Sequence, residues 1–243
     1  MPQRSQVVLE PRKSPVQARS AASVDAILEA TIQVLLHVGK ERLTTTRVAL
    51  RAGVSVGTLY QYFPNKSALL QAALTRHLAE VTDAVELVCK EQRGRTLREM
   101  VTALITAFLE AKMRDAKTSV ALYAVSSDLD AARIVQQIGT RSNKAIVRML
   151  ESASDPLTTD AQLAASMLQG AMVGVSRRML ESGAAEKQFD ALRRELIFMA
   201  CAYVEACSAR ASVEGKENTG LSGTFFFQIV GENVTRTVTK STP

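Results

Sequence analysis

The sequence predicts an all-α protein built from a small N-terminal domain of three helices, residues 19–66, and a larger helical body, residues 67–209. Three observations predict this fold. Apolar residues recur every three to four positions through most of residues 20–209, no alternating strand pattern interrupts them, and capping residues, Gly or Pro separate the segments. The hydrophobic fraction, 47% of 243 residues, is sufficient for a sizeable core.

The first two helices have clear end signals. An apolar stripe runs through "SVDAILEATIQVLLHVG" and closes at Gly39. Thr44 is placed to cap a second helix through "TTTRVALRAG", which stops at Gly53. Both glycines favour a helix end because they adopt backbone conformations that other residues avoid.

The third and fourth helices are delimited by capping residues and a proline. Ser55 is predicted to cap a short third helix, and Pro64 stops it. Asn65 then caps a long helix, residues 66–92, which ends before the pair "GR" at 94–95. Further amphipathic segments in the body predict helices over residues 97–113, 117–127, 129–152, 158–183 and 186–209.

The two ends of the chain have a different composition. Residues 1–18 carry three of the six prolines and little periodicity, so we expect a flexible basic arm. Residues 210–243 include "TFFFQIVGENVTRTV", which is rich in β-formers around a Gly-Glu-Asn turn. Either a small hairpin or an untethered tail fits this segment, because a lone hairpin is only marginally stable in water.

Positive charge is concentrated near the N-terminus. Up to position 66 there are nine Lys or Arg residues and four acids, which leaves +5 of the net charge of +6. A basic module on a neutral body favours a polyanionic partner for that module, although a solvated basic tail has the same composition.

Helices 44–52 and 55–62, joined by the tight turn "AGVS", have the layout of a helix-turn-helix. In that motif the second helix enters the DNA major groove. Leu59 and Phe63 are spaced to point inward, and the small Gly57 allows close approach to a duplex. The polar face that the second helix is predicted to present consists of Ser55, Thr58, Tyr60, Gln61 and Tyr62. An ordinary connector in a helical bundle is the alternative.

The stretch "TTTRVALRAGVSVGTLYQYFPNKSALL" closely resembles the N-terminal domain of the tetracycline-repressor (TetR) family of transcriptional regulators. The resemblance implies a sequence-specific DNA-binding regulator, most often a repressor that a small-molecule effector releases from its double-stranded operator. It further implies that Thr44, Thr46 and Lys66 contact phosphates and that Thr58 and Tyr60 lie on the recognition helix. Arg47 stands where many relatives carry an acid, so it is either an added DNA contact or solvated surface.

A twofold homodimer is expected because one recognition helix offers few contacts, and specific binding normally uses two half-sites. The last two helices are apolar over a wide arc and predict a four-helix bundle between subunits. The interface is predicted to include Leu168, Met172, Val175, Leu192, Leu196, Met199 and Tyr203. Burial of this face within one subunit is the alternative.

The middle helices are expected to enclose the effector. Few charges fall on their apolar faces, which favours an apolar or weakly polar small molecule. Candidate lining residues are Phe108, Met113, Tyr123, Met149, Met167 and Met172, since Met adapts to irregular ligands. Each of these residues would equally serve as plain core.

A redox switch and an enzyme are the two alternative function classes. Cys89, Cys201 and Cys207 leave open a thiol-based redox switch, with a bridge across a dimer. An enzyme is disfavoured because the sequence offers no Ser/His/Asp set, phosphate loop or metal-ligand cluster, and only two histidines. We therefore expect no cofactor and no metal. We also expect no membrane span or secretory signal, and a cytoplasmic location.

Overall fold

The computed structural model describes residues 18–126, 129–182 and 185–209, and within these ranges every regular element is an α-helix. The all-α prediction is therefore confirmed. The arm predicted for residues 1–18 lies outside the described residues except for its last position, and the tail or hairpin predicted for 210–243 lies outside them entirely. The helices are α1 Ala18–Arg42, α2 Thr45–Ala52, α3 Val56–Tyr62, α4 Lys66–Glu91, α5 Leu97–Met113, α6 Ala116–Ser126, α7 Leu129–Leu150, α8 Ala161–Glu181 and α9 Ala185–Ala209.

The residues predicted to delimit the first two helices lie at or near the helix ends in the structure. Gly39 has φ 75° and breaks the regular conformation of α1 one turn before its end. The Thr44 side chain accepts a hydrogen bond from the Arg47 N–H at 3.3 Å and so caps α2. Gly53 ends α2 in the left-handed conformation, with φ 68°.

Side-chain caps also begin α3 and α4. The Ser55 hydroxyl accepts the N–H of Thr58 at 2.9 Å, and the Asn65 side-chain oxygen accepts the N–H of Ala68 at 2.8 Å. Each cap satisfies one of the N–H groups that a helix start leaves without an intrahelical partner. Because only Phe63, Pro64 and Asn65 separate the two helices, the orientation of α3 is tied to that of α4.

The N-terminal domain has its own apolar core. Ile27 and Leu35 of α1, Val48 of α2, Leu59 of α3 and the nearby Phe63 are each at most 3% exposed and belong to one cluster. This burial holds α2 and α3 against α1. The first half of α4 joins the same cluster through Leu69, Leu70, Ala73 and Leu74.

Helix α6 connects the body to the N-terminal domain. Leu122 and Val125 of α6 are each 1% exposed and belong to the N-terminal cluster, and α6 packs against α1. The same helix contacts α5, α7 and α8 of the body. Both α4 and α6 are therefore shared between the two parts of the protein.

The body core is formed by the second half of α4 together with α5, α7, α8 and α9. Val85 and Val88 of α4 pack there with Leu104 and Ile105 of α5 and Ile146 of α7. Helices α4 and α7 make the most extensive contact between any two elements described, and α5 and α9 also pack closely. The body is thus organised around the same helix that carries the N-terminal domain.

Helix α1 is long and apolar enough, by length and composition, to be a candidate membrane span over Ser20–Arg42. In the fold, however, the apolar stripe of α1 packs inside the protein, because Ile27 and Leu35 are buried in the N-terminal core. We therefore interpret α1 as the core helix of the N-terminal domain.

Gly53→Ala should destabilise the protein, because a side chain at φ 68° is strained even though an added Cβ meets no atom within 4 Å. The expected loss in the free energy of unfolding is about 1–2 kcal/mol. Urea unfolding followed by circular dichroism measures it. Gly57→Ala is the matched control, because its added Cβ also has space, 3.7 Å from the Ser55 Oγ, and its φ is not positive. Equal stability changes in the two variants would contradict this account of Gly53.

Candidate functional site

Helices α2 and α3 form a helix-turn-helix whose turn is closed by backbone hydrogen bonds. The Gly53 N–H bonds to the carbonyl oxygens of Ala49 and Leu50, and the Val54 N–H donates to Ala49 O at 3.0 Å. Val48 and Ala49 are buried beneath this turn. The turn therefore fixes α3 relative to a helix that is itself anchored in the core.

The outward surface of the motif is polar apart from two apolar side chains, Leu50 at 82% exposed and Val56 at 36%. Thr44, Thr46 and Arg47 at α2, and Ser55, Tyr60 and Gln61 at α3, are exposed, while Thr58 is half-buried. No acidic side chain occurs in α2 or α3. Such a surface can approach phosphate oxygens and base edges without charge repulsion.

Tyr62 departs from the prediction. Its side chain is only 9% exposed and belongs to the N-terminal core cluster, so the prediction that α3 presents it was wrong. Tyr62 lies three residues after Leu59, and residues three or four apart share one face of a helix. The buried face of α3 therefore includes Tyr62 as well as Leu59.

Tyr60 is positioned by a residue that the sequence did not single out. Its hydroxyl lies 3.0 Å from the Thr45 Oγ1, within hydrogen-bond distance, while 40% of the residue remains exposed. Thr45 is the first residue of α2, between the predicted phosphate contacts Thr44 and Thr46. Only the folded motif brings these two side chains together across fifteen positions of sequence.

The hydroxyls at the start of α3 serve its cap. The Ser55 Oγ lies 2.8 Å from the Thr58 Oγ1 and also accepts the Thr58 N–H. Each hydroxyl has further hydrogen-bonding capacity, because an oxygen can accept two bonds and donate one. Both can therefore contact DNA while the cap stays intact.

Lys66 supplies a cation at the N-terminus of α4. Its Nζ donates to the Glu41 carbonyl oxygen at 3.3 Å, which holds the half-buried side chain against the end of α1. A helix N-terminus carries partial positive charge and favours phosphate. On α2, by contrast, the Arg51 guanidinium is engaged with Gln33 Oε1 at 2.6 Å.

The residues predicted to line an effector site fall into three groups. Phe108, Met149 and Met172 are buried in the body core, and Met113 and Tyr123 are half-buried. Met167 is 45% exposed, so its predicted place inside the body was wrong. It lies four residues after the exposed Leu163, on the outer face of α8.

A polar cluster lies near Tyr123 inside the body. The His77 Nε2 is 3.0 Å from the Ser119 Oγ, which in turn donates to the Lys112 carbonyl oxygen at 3.0 Å. The Lys112 Nζ lies 5.1 Å from the centroid of the Tyr123 ring. Burial, followed by the nearby Lys112 charge, lowers the pKa of His77 to about 4, so the imidazole is neutral at pH 7. Burial likewise lowers the pKa of Lys112 to about 8.

The predicted dimer residues are mostly internal. Leu168, Met172 and Leu196 are 2–3% exposed within a single subunit, so their assignment to an intersubunit face was wrong. Val175, Leu192 and Tyr203 are half-buried against the body core, and Met199 is exposed. Helices α8 and α9 are apolar on both faces, and sequence periodicity alone does not tell which face turns inward.

The exposed apolar residues of the last two helices define a different surface, here named the α8/α9 face. They are Leu163, Met167 and Val173 on α8, and Phe198 and Met199 on α9. Phe198 is the most exposed of them, at 72%. Gly170 and Gly174, which lack side chains, are also exposed on α8.

The cysteines have the environment of structural residues. Cys89, Cys201 and Cys207 are free and buried. Burial raises the pKa of the Cys89 thiol to about 12, far from the range in which a thiolate forms at neutral pH. The Cys201 Sγ lies near the Thr102 hydroxyl and the Arg98 carbonyl, at 3.7 and 3.9 Å. These environments give no support to a thiol-based switch.

Two family models match this arrangement of domains. Residues 27–73 match the bacterial regulatory proteins of the tetR family, and residues 96–203 match the tetracyclin repressor-like C-terminal domain. The chain belongs to the TetR family. It is accordingly a DNA-binding transcriptional regulator, and the matched N-terminal residues span the helix-turn-helix described above.

Named relatives are found among bacterial regulators. The chain is 32% identical over 140 residues to the HTH-type transcriptional repressor KstR of Rhodococcus jostii, covering 57% of this chain and 63% of the relative. It is 28% identical over 174 residues to the regulator BetI of Serratia proteamaculans, covering 68% of this chain and 85% of the relative. The match to KstR thus spans less than two thirds of that repressor.

Solved structures share the fold at lower identity. SmeT, the repressor of the Stenotrophomonas maltophilia multidrug efflux pump SmeDEF, aligns with a TM-score of 0.57 and 23% identity over 74% of this chain and 89% of SmeT. The fatty acid degradation regulator FadR of Bacillus halodurans aligns with a TM-score of 0.57 and 19% identity, over 72% of this chain and 94% of FadR. These similarities support the all-α architecture of both domains.

Lys66→Ala should weaken DNA binding by a similar factor on all sequences, because we assign Lys66 to a phosphate. The slope of log affinity against log salt concentration should fall by about one. Fluorescence anisotropy titrations at several salt concentrations measure this slope. Lys90→Ala, an exposed lysine at the other end of α4, is the matched control and should leave the slope unchanged. Identical slopes for wild type and Lys66→Ala would remove Lys66 from the interface.

Proposed function

We propose that the protein is a transcriptional repressor that binds operator DNA as a homodimer and is controlled by a small-molecule effector bound in its body. The observation that carries the proposal is the outward face of the helix-turn-helix, which presents hydroxyl, amide and basic side chains, is free of acids and is fixed to a buried core. Such a repressor acts in the cytoplasm, on the DNA upstream of the genes it controls.

The recognition helix α3 enters the major groove of the operator. Its exposed Tyr60 and Gln61, with Ser55 and Thr58 at its start, are the side chains placed to reach base edges and neighbouring phosphates. Phosphate contacts come from the surrounding residues Thr44, Thr46, Arg47 and Lys66. Phosphate contacts set the register on the duplex, and base contacts supply the sequence preference.

Dimerisation through the α8/α9 face places two recognition helices on one duplex. The face presents large apolar side chains to solvent, with Phe198 72% exposed, and exposed apolar patches of this kind mark protein–protein contacts. Two helices from each subunit make a four-helix bundle. Gly170 and Gly174 permit close approach of the partner helix. Two half-sites about 34–36 Å apart then match one turn of the duplex.

Effector control is supported by the two helices shared between the domains. Filling a site in the body displaces α4 or α6, and both of them contribute side chains to the N-terminal core. Movement of that core changes the spacing of the recognition helices in the dimer. Because the helical repeat of the duplex fixes the distance between the two half-sites, the effector-free and effector-bound states of the protein bind the operator with different affinities.

A small-molecule effector agrees with what is seen for a structural neighbour. SmeT has been solved in complex with triclosan and aligns with 24% identity and a TM-score of 0.60 over 83% of this chain. The apolar body core around Phe108, Met149 and Met172 favours an effector with a substantial apolar part. In this proposal the liganded state is the one that releases DNA.

Wild-type protein should bind the DNA upstream of its own gene more tightly than a scrambled duplex at physiological salt. A small molecule that raises the melting temperature should weaken operator binding about 5–150-fold at saturation, the usual range of allosteric coupling. Anisotropy titrations with and without the ligand measure both quantities. Equal affinity for the two duplexes would exclude sequence-specific regulation. Unchanged operator affinity with ligand bound in the body would exclude the coupling through α4 and α6.

Phe198→Glu should convert the dimer into a monomer, because it places a charge at the most exposed apolar position of the α8/α9 face. Light scattering should report twice the chain mass of 26.3 kDa for wild type and a single chain mass for the variant. Leu87→Glu is the matched control, an exposed leucine of α4 outside that face, at 58% exposure. A dimer mass for Phe198→Glu, with the control unchanged, would place the interface elsewhere.

A further inference from the structure

Lys112 is a buried cation for which the described residues supply no carboxylate partner. It lies in the last turn of α5 and is 6% exposed, and among the described residues no acidic side chain forms an ion pair with it. The only described contact of its ammonium group is the face of the Tyr123 ring, at 5.1 Å. Burial of a charge that lacks an ion pair is costly, so a position of this kind calls for a functional explanation.

Two neighbouring arginines are already matched. Arg177, whose Cζ lies 5.9 Å from the same Tyr123 ring, bonds Glu181 at 2.7 Å. Arg76 pairs with Glu29 at 3.3 Å. Lys112 is thus the buried cation of this region for which the described residues supply no anion.

Glu110, two residues before Lys112, is exposed on α5, and the carboxylate of Asp115 is committed elsewhere. It accepts the Thr118 N–H at 2.9 Å and the Thr118 hydroxyl at 2.5 Å, which caps α6. His77, the other titratable group of the cluster, is neutral and hydrogen-bonded to Ser119. Neither residue neutralises the ammonium group.

Apolar side chains adjoin this cation on the same helix faces. Phe108 lies one turn before Lys112 on α5. Ser176 of α8 lies near the Tyr123 hydroxyl, and Met172 and Met179 lie one turn to either side of Ser176. Phe108, Met172 and Met179 all belong to the buried body core. A cation at the edge of an apolar core is complementary to an amphiphile with one negative charge.

We propose that the effector is an amphiphilic carboxylate, whose headgroup pairs with the Lys112 ammonium beside the Tyr123 ring and whose apolar part enters the core next to Phe108 and Met172. This inference rests on the proposed function for its consequence in DNA binding, but not for the binding itself. It refines the effector class expected from sequence, because the apolar molecule now carries one anionic group.

The position of the headgroup explains how binding reaches the DNA-binding domain. Tyr123 is the residue after Leu122 on α6, and Leu122 is buried in the N-terminal core against α1. A carboxylate that enters between Lys112 and Tyr123 therefore displaces the helix that also supports α1. The response passes through α6 as well as through α4.

The test uses three monocarboxylates, octanoate, 4-phenylbutanoate and 2-naphthoate, each compared with its alcohol analogue on the full-length protein. At least one carboxylate should raise the melting temperature of wild type well above the shift given by its alcohol. In Lys112→Met its affinity should fall about tenfold or more, the loss expected when a charge-assisted hydrogen bond is removed. Lys112→Arg keeps the charge and should keep most of the binding, and calorimetric titration measures the affinities.

Lys117→Met is the matched control, because Lys117 is an exposed lysine close in sequence, on α6. It should bind the carboxylate as wild type does. Without ligand, Lys112→Met should melt at or above the wild-type temperature, because the substitution removes a buried charge that lacks an ion pair. A markedly lower melting temperature would show instead that Lys112 is a structural residue, and would overturn the proposal.

Other outcomes separate the two proposals. Carboxylates that bind no better than their alcohols, or a Lys112→Met variant that keeps wild-type carboxylate affinity, overturn this inference and leave operator recognition standing. A protein that binds a carboxylate through Lys112 but does not prefer its operator overturns the proposed function and leaves the site intact. If the proposed function and the carboxylate site are both correct, the carboxylate weakens operator binding in wild type and in Lys117→Met but not in Lys112→Met.

Discussion

The structure depends on one helix that contributes to two apolar cores. The first half of α4 packs with α1 and α3 through Leu69 and Leu74, and its second half packs with α5 and α7 through Val85 and Val88. A rigid helix transmits tilt along its whole length, since its backbone hydrogen bonds are satisfied internally. The DNA-binding surface and the body therefore cannot move independently, and α6 adds a second connection through Leu122.

The DNA-binding surface combines a stiff base with small polar groups. Its hydroxyls and phenol are anchored by short local bonds, as in the Tyr60 contact with Thr45 and the Ser55 cap of α3. Anchored groups lose less conformational entropy when they meet a duplex than long free side chains do. Lys66 is similarly steadied by the Glu41 carbonyl. Affinity then comes largely from phosphates, while α3 supplies the sequence preference.

Much of the fold follows from local sequence signals, and the site follows only in part. The starts of α2, α3 and α4 were predictable, because the side chains of Thr44, Ser55 and Asn65 each accept the backbone N–H of the residue only three positions later. The exposure of Tyr62 was misjudged, because the width of a buried helix face depends on what packs against it. The inward face of α8 was likewise not predictable, since Leu163 and Leu168 are both apolar and only tertiary packing separates them. Contacts between distant residues, such as Tyr60 with Thr45, have no local signal at all.

Inside the body, a buried charge is better evidence for a ligand site than buried apolar side chains are. Phe108 and Met172 would fill a core in any helical protein, so their burial does not distinguish a ligand site from ordinary packing. A lysine in the same place is different, because its charge loses hydration free energy in the protein interior. Pairing with an anion compensates for that lost free energy. Arg76 and Arg177 are each paired with a carboxylate, and Asp115 caps α6 rather than approaching Lys112. Among the described residues, one buried cation is thus left to be matched from outside the chain. That cation contacts the helix joined to the DNA-binding core, so the arrangement that binds an anion also couples its binding to the recognition helices.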